Sequence, residues 1–455
     1  MGEHIGITRR RFMGLAATTG TAVVLAACQP APAPTKAPDK PVAPAAQPTS
    51  PPAPAKKVAL KFISPSLGGG QLEWFEKEVV PAFLQEFPSV GKVEFIATDY
   101  GKINEQLLAA FAAGDPPDIF EHGSAASGAS WAASGQTLAL DEFYARLDAK
   151  RRDDYYKQAI ETCYHKGKLY SMPRLITPQT LAYRKDFFQE AGLDPAKGPE
   201  TWEDLLAMAR KLTKTEGGKL VRAGLRCPDK GWGLQQGWWP LVYQNGSSIL
   251  TDDLSKVAFD SPAGLEAMNW YHDLIWKEKV DISGGLPAGV SGSPVNTGQA
   301  AMAWESAGLI TQAKTNFPDA YPNLGFFLPT KRVRRACMLA VDRGFIGAKS
   351  KNPAEAWDFL MFTHRPEMFL GRFRVSGTLP PTKSFQETQE VKSEPLMAMV
   401  LKVIEYGYQW PPTPKWNDFR SHITTMSDAF MAQPGPVDQI VKDAAKEINA
   451  VLAKS

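Results

Sequence analysis

The sequence of 455 residues predicts an α/β fold with two lobes, preceded by an export segment and a linker. From residue 58 onward, short apolar strands alternate with amphipathic helices, a pattern typical of largely parallel sheets flanked by helices. This part contains about 400 residues, which is too long for one ordinary core and favours two lobes. The first 57 residues have a composition typical of targeting and spacer segments.

The first 27 residues have the features of a signal peptide. Arg9 to Arg11 precede a charge-free run, Met13 to Ala27, of 15 mostly small and apolar residues. A membrane-spanning helix needs about 20 such residues, so we interpret this run as the apolar core of a signal peptide. The arginines resemble a twin-arginine export signal, and Leu25-Ala26-Ala27-Cys28 resembles the lipobox of bacterial lipoproteins. We therefore expect a lipid on Cys28 that holds the protein on the outer face of the cytoplasmic membrane or in the periplasm.

Residues 28–57 are predicted to be a tether. Ten prolines and eight alanines occupy residues 29–55, a composition that favours extended polyproline II and buries no core. At about 3.1 Å per residue the tether reaches up to ~80 Å. We expect it to space the folded part from the lipid.

Charge and cysteine content exclude several classes of partner and site. The formal net charge is +3, which gives no support for a nucleic-acid partner. No later apolar run is long enough to span a membrane, so the lipid is the expected anchor. Cys163, Cys227 and Cys337 remain besides Cys28, and an odd number implies at least one free thiol. They lack metal-ligand spacing, so small buried apolar roles are expected.

The elements of the folded part follow in order from residue 58. Strands are predicted at Val58 to Ile63 and Val93 to Ala97, helices at Leu72 to Phe87 and Lys102 to Ala113, and a further strand begins at Asp118.

Two later helices carry start signals. Thr201 with Asp204 three residues later predicts a capping-box-like start. Asn352 followed by Pro353 and Glu355 predicts another helix that begins at the proline.

Motifs of common enzymes are absent from the sequence. There is no Gly-x-Ser-x-Gly elbow, and the six histidines form no local metal-binding pair. Residues 377–384 resemble a phosphate loop, but Thr382 stands for the second glycine, and Pro380 and Pro381 remove two backbone donors. We therefore expect that the protein is not an enzyme and that it binds no cofactor or metal. Catalytic residues can lie far apart in sequence, where no motif reveals them, so an exported carbohydrate-active enzyme is the alternative.

Eight segments carry a family resemblance. They are FAAGDPPDIF at 111–120, GKLYSMP at 167–173, YRKDFFQEAGL at 183–193, ETWEDLL at 200–206, GQAAMAW at 298–304, FFLP at 326–329, AEAWDFLMF at 354–362 and LPP at 379–381. Together they resemble the family 1 extracellular solute-binding proteins, the receptors of ABC importers for sugars and related solutes.

The resemblance implies a two-lobed, periplasmic-binding-protein-like clamp, each lobe a mostly parallel sheet with flanking helices. Three hinge crossings are implied, near 172–177, 327–330 and 379–383. Residues 58–173 with about 330–380 then form the first lobe, and about 174–329 with 381–455 the second. The implied role is capture of a small solute, above all a carbohydrate, by a monomer that delivers it to an ABC permease. A ligand-sensing module for signalling would share these features.

The ligand site of a sugar receptor needs flat aromatic surfaces and planar polar groups. Trp238 and Trp239 follow a glycine-rich loop at a predicted helix start, in a region that faces the cleft in the family. Trp304 and Glu305 end a strand-like segment where the family chain turns into the cleft. Each of these residues has core packing or simple surface exposure as its alternative.

The other candidates come from strand ends and from a proline-rich segment. Glu121 and His122 follow the strand that begins at Asp118, at the carboxyl end where ligands of open α/β sheets bind. Asp342 and Arg343 stand where the family often has a glycine-rich cleft turn. The last two candidates are Trp410 and Trp416, which flank three prolines. This stiff segment could form a wall of the cleft.

Overall fold

The computed structural model describes residues 57–65, 67–68, 70–100, 102–285 and 291–454. The predicted signal peptide, Cys28 and almost all of the tether lie outside the described residues, so these assignments stay predictions.

Thirteen strands occur in the described residues. They are β1 Val58–Ser64, β2 Val90–Ala97, β3 Ile119–His122, β4 Tyr164–His165, β5 Lys168–Leu169, β6 Met172–Pro178, β7 Thr180–Arg184, β8 Lys214–Glu216, β9 Lys219–Arg222, β10 Met302–Glu305, β11 Leu324–Phe327, β12 Cys337–Ile346 and β13 Gly407–Tyr408.

Eighteen α-helices pack around these strands in the same described ranges. They are α1 Gln71–Trp74, α2 Val80–Glu86, α3 Ile103–Ala113, α4 Ala125–Ala133, α5 Asp141–Tyr144, α6 Ala149–Asp154, α7 Lys157–Ile160, α8 Lys185–Glu190, α9 Trp202–Leu212, α10 Gly231–Gln244, α11 Pro262–Trp276, α12 Gly308–Asn316, α13 Pro353–Phe362, α14 Pro366–Ser376, α15 Gln389–Lys392, α16 Met397–Val403, α17 Trp416–Met431 and α18 Asp438–Leu452.

The predicted elements at the start of the folded part are confirmed. β1, β2, α3 and β3 lie within a few residues of their predicted bounds. The helix predicted at residues 72–87 is continuous from α1 to α2 through one π-helical segment, Phe75–Val79. Pro81 follows this segment and has no N–H group to donate to the carbonyl of the fourth residue before it. The loss of that helical hydrogen bond fits a widened turn.

The two helix-start signals mark real helix starts. The Thr201 side chain accepts a hydrogen bond from the Asp204 amide, and the Asp204 carboxylate accepts one from the Thr201 amide, a complete capping box before α9. α13 begins at Pro353 after Asn352, whose side chain makes no capping bond.

The larger sheet has six strands in the order β13-β12-β3-β1-β2, with β6 paired to β12. β1 pairs in parallel with β2 and β3, whereas β12 runs antiparallel to β3 and β6. We call the part built on this sheet the first lobe. Leu379 bridges to Ile176 of β6, so two of the predicted crossings lie side by side, while the lobe boundaries stay a prediction.

The second lobe contains a three-stranded sheet in the order β10-β7-β11. Both of its pairings are antiparallel, unlike the mostly parallel sheet that was expected for each lobe. β10 and β11 are therefore parallel to each other and connected through α12, and β7 lies between them. Alternate residues of β7 face opposite sides, so Leu181 and Tyr183 join the core around α9, α10 and α11, while Ala182 joins a second core.

Three cysteines are buried, free thiols, namely Cys163, Cys227 and Cys337. This agrees with the apolar roles expected for them, and burial raises the pKa of each thiol. Within the described ranges, the helices are all too short or too polar to cross a membrane.

Candidate functional site

A cleft of about 800 Å³ opens at the carboxyl ends of β1 and β3. One wall belongs to the first lobe, the floor is formed by β6 and β12, and the other wall comes from α10, α17 and the segment after β13. The lining residues of the first wall are Pro65, Gly68, Gln71, Tyr100, Asn104, His122, Gly123, Ser124 and Ala125. Those of the second wall are Gln235, Gln236, Gln409, Trp410, Trp416, Arg420 and Thr424.

The lining is rich in neutral planar amides, which suits the recognition of hydroxyl groups. Several of these amides are held by the protein. Arg372 Nε donates to Gln71 Oε1 over 2.8 Å, which leaves the Gln71 amide nitrogen as a donor for the cleft. Gln235 Nε2 donates to Thr424 Oγ1 over 3.0 Å, and Gln409 Nε2 donates to the Gln158 carbonyl over 3.0 Å. Amides fixed in this way present defined donors and acceptors.

A cluster of buried charged groups lies directly beneath the first wall. Glu121 is fully buried, pairs with Arg174 and accepts a hydrogen bond from Ser64 Oγ. Arg372 Nη1 lies 3.8 Å from Glu121 Oε1. Burial lowers the pKa of the Arg174 guanidinium, with the charge of Arg372 as a second cause. The cluster therefore supports the wall from below rather than contacting the cleft through Glu121.

Arg343 ties the floor to both walls. Its guanidinium is fully buried and donates to the carbonyls of Gly123 (3.1 Å) and Val341 (2.7 Å), and also to Gln409 Oε1. Burial lowers its pKa. Arg343 thus stands behind the cleft lining and fixes the Gln409 amide.

Asp342 is the carboxylate that lines the cleft, and it is 6% exposed. Tyr100 donates its hydroxyl proton to Asp342 Oδ2. A Cβ atom added to Gly123 would lie 2.6 Å from Asp342 Oδ1, so the glycine makes room for the carboxylate.

His122 ends β3 and lines the cleft with a fixed tautomer. Its Nδ1 accepts a hydrogen bond of 2.9 Å from the Ser124 amide, so the proton of the neutral ring lies on Nε2. Burial first, and then the charges of Arg343 and Arg420, lower the pKa of His122 to about 3. The ring is therefore neutral at physiological pH and is a hydrogen-bond donor through Nε2.

Trp410 and Trp416 form an aromatic pair on the second wall. Their ring centroids are 4.5 Å apart with the planes tilted by 46°. They are only 6% and 5% exposed, because both rings also pack into the core around α10 and α17. Only a small part of each side chain is therefore exposed.

The structure therefore brings four of the sequence-predicted site residues to the cleft, namely His122, Asp342, Trp410 and Trp416. Glu121 and Arg343 lie behind the lining. On strands β3 and β12 their side chains alternate with those of His122 and Asp342, and alternate residues face opposite sides of a sheet.

The expectation of ligand contact does not match the positions of the remaining four. Trp238 and Trp239 are 0% and 1% exposed in the core of the second lobe, where Trp238 Nε1 donates to Ser427 Oγ over 3.1 Å. They lie one turn too far along α10, whose Gln235 and Gln236 reach the cleft. Trp304 and Glu305 lie on the edge strand β10, away from the lining. Trp304 packs against Tyr271 of α11, and Glu305 accepts a hydrogen bond from Ser293 Oγ.

Several lining residues were not predicted, above all Gln71, Tyr100 and Arg420. Each follows a strand or lies on a helix with no local motif, so only the packing of distant segments reveals them. A weak signal for Gln71 is its place at a helix start just after the glycine triplet that follows the first strand.

A family model described as bacterial extracellular solute-binding protein matches residues 68–367. The chain belongs to this family. The match includes the first wall apart from Pro65, the floor, and Gln235 and Gln236 of the second wall. The other lining residues of the second wall lie beyond residue 367, and they are Gln409, Trp410, Trp416, Arg420 and Thr424.

Similar proteins agree with this membership. The sn-glycerol-3-phosphate-binding periplasmic protein of Agrobacterium fabrum is 26% identical over 353 residues, which cover 73% of this chain and 79% of that one. A solute-binding protein from Thermotoga lettingae, bound to α-D-tagatose, has a TM-score of 0.74 at 22% identity, covering 88% of this chain and all of that one. Maltose-bound T. maritima MalE3 has a TM-score of 0.72 at 21% identity, covering 86% and 99%. These structures share the two-lobed α/β fold.

Proposed function

We propose that the protein is an extracytoplasmic solute-binding lipoprotein that captures a small carbohydrate and delivers it to an ABC import permease. The observation that carries this proposal is the cleft of about 800 Å³ between two walls, lined by fixed amides and two tryptophans, in a chain of this family. The ligands named for the similar proteins are small and rich in hydroxyl groups, which supports a carbohydrate-type solute.

The geometry of the cleft supports binding with enclosure. A polyhydroxylated solute offers both donors and acceptors around its rim, and amides on both walls match them. Contacts to both walls favour the conformation in which the walls are close together. His122, Asp342, Trp410 and Trp416 are the sequence-derived candidates that keep a proposed role in ligand contact.

We propose further that the protein binds and releases its solute without changing it, and acts as a monomer. The family model is described as a solute-binding protein, and the similar proteins are described as binding proteins, which supports this proposal. The predicted twin-arginine signal and Cys28 support export and attachment by a lipid to the outer face of the cytoplasmic membrane.

The test is a thermal-shift screen of the exported protein against mono- and disaccharides, followed by titration calorimetry of each hit. A bound sugar that is recovered unchanged after prolonged incubation supports a receptor. Accumulation of a hydrolysed or modified product would instead identify an exported carbohydrate-active enzyme.

A further inference from the structure

Arg420 on the second wall is a cation without a protein partner. It lies on α17, is exposed and lines the cleft. Its guanidinium makes no hydrogen bond or ion pair with any residue in the described part of the chain. Its charge nevertheless reaches across the cleft, because it contributes to the lowered pKa of His122 on the first wall.

His122 offers a donor to the cleft opposite this cation. The residue is 6% exposed and lines the cleft. Its Nδ1 is occupied by the Ser124 amide, and its Nε2–H group has no hydrogen-bond partner among the described residues. The Nε2–H group is therefore available to an acceptor on the solute.

The amino end of α4 lies beside His122. Ser124 is the N-cap of this nine-residue helix, and its Oγ accepts from the Ser127 amide over 3.2 Å. Ser124 and Ala125 both line the cleft, so the positive end of the helix dipole lies at the same place as the histidine donor. Such helix ends favour anions.

The charged groups around the cleft also favour an anionic ligand. Four guanidinium groups line it or lie directly beneath it, those of Arg174, Arg343, Arg372 and Arg420, against the two carboxylates of Glu121 and Asp342. Glu121 is paired with Arg174, and Asp342 accepts from Tyr100. The carboxylates are thus engaged within the first lobe, while Arg420 is not.

We propose that the solute carries an oxyanion group, a carboxylate or a phosphate, that binds between His122, the amino end of α4 and Arg420. The inference rests on the proposed capture function and narrows its solute class to acidic sugar or polyol derivatives.

Matched sets of solutes test the inference on the exported protein at constant ionic strength. The probes are glucose with glucuronate and glucose 6-phosphate, galactose with galacturonate and galactose 6-phosphate, and glycerol with glycerate and glycerol 3-phosphate, each at millimolar concentration. We expect at least one acidic member to raise the melting temperature more than its neutral counterpart. The arm that responds identifies carboxylate or phosphate.

Variants then locate the anion. Arg420→Gln should weaken binding of the acidic solute by about 10- to 100-fold, since a charge-assisted hydrogen bond is lost. Arg420→Lys should retain part of the affinity, and His122→Phe should lose about tenfold. Lys446→Gln removes an exposed positive charge from α18 of the same lobe and should leave the affinity unchanged.

Two results would overturn the inference. One is that a neutral solute binds more tightly than its acidic counterparts and binds Arg420→Gln with full affinity. This result would leave the proposed carbohydrate capture intact. The other is no stabilisation by any acidic probe. If the wider screen of neutral sugars also finds no ligand, the proposed carbohydrate capture fails together with it.

Discussion

At the scale of single residues, the cleft depends on side chains whose hydrogen bonds are set by neighbours outside the lining. Gln71 presents a donor because Arg372 occupies its oxygen, and His122 presents a donor because the Ser124 amide occupies Nδ1. His122 was predicted from its place at the end of a strand. The orientation of the Gln71 amide depends on an arginine 301 positions away. Orientation of a ligand-binding group is thus a tertiary property.

The pH dependence of stability should report the buried, neutral state of His122. Its pKa is about 3 in the folded protein against an ordinary value of 6.5. Below pH 6.5 the unfolded chain binds a proton that the folded protein does not, so stability falls as the pH falls toward 3 and is unaffected above 6.5. Between pH 7 and pH 5 this amounts to about 2 kcal/mol. Denaturant unfolding of wild type and His122→Gln at both pH values measures the difference, and equal losses in the two proteins would contradict it.

Gly123→Ala should weaken ligand binding more than it weakens the fold. The new Cβ would lie 2.6 Å from Asp342 Oδ1 and would displace this carboxylate from its place beside Tyr100. We expect a loss of about 1 to 2 kcal/mol of stability and about tenfold in affinity. Gly308→Ala is the control, because its Cβ meets only Ser306 Oγ at 3.4 Å, away from the cleft. Normal affinity in Gly123→Ala would show that the position of Asp342 is unimportant.

At the scale of elements, local signals predicted where helices and strands begin but not which end of a helix reaches the cleft. The capping box before α9 and the strand β1 are encoded within a few residues, so the sequence was sufficient for them. The glycines near Trp238 were interpreted as a loop before a helix, but Gly231, Gly233 and Gly237 lie within α10 itself. The choice between core and cleft for its tryptophans depends on how far α10 extends behind α17, which no local pattern encodes. The antiparallel second sheet was missed for the same reason.

Trp238→Ala should destabilise the second lobe and leave ligand affinity intact. The indole is fully buried between Phe259 and Phe430 and donates to Ser427 Oγ. Removing it leaves a large cavity, at a cost on the order of 3 to 5 kcal/mol, while the Ser427 hydroxyl still donates to the Ile423 carbonyl. Melting temperature and affinity measured on the same folded preparation check this. Trp416→Ala, which removes a side chain that both lines the cleft and packs in the core, should lower both.

At the scale of the whole molecule, the fold combines two lobes on one hinge region. The two-lobed α/β architecture was predictable because eight separate segments carried the family pattern in order. β6 and β12 form the floor, and Arg343 on β12 holds Gln409 at the second wall. The placement of the His122 donor and the Arg420 cation on opposite walls of one cleft was not predictable, because residues almost 300 positions apart come together only in the folded chain.

Cys28→Ala should release the protein from membranes without affecting its fold, since residue 28 lies in the predicted tether. Fractionation of cells followed by a high-salt wash measures this, and Cys163→Ala, a change at a buried cysteine, should fractionate with membranes like wild type. Retention of Cys28→Ala on washed membranes after removal of the signal peptide would argue against a lipid anchor.

Binding of the solute should make the protein more compact. α17 of the second lobe touches α4 of the first in this structure, and a solute held by both walls favours this closed arrangement over an open one. Solution scattering should therefore give a smaller radius of gyration for the protein with a saturating solute than for the same protein without it. A sugar that does not bind, at the same concentration, controls for solvent contrast. At 100 times its dissociation constant the ligand should also add about 2.7 kcal/mol of stability. Unchanged dimensions together with that gain in stability would mean that the solute binds to a cleft that does not close.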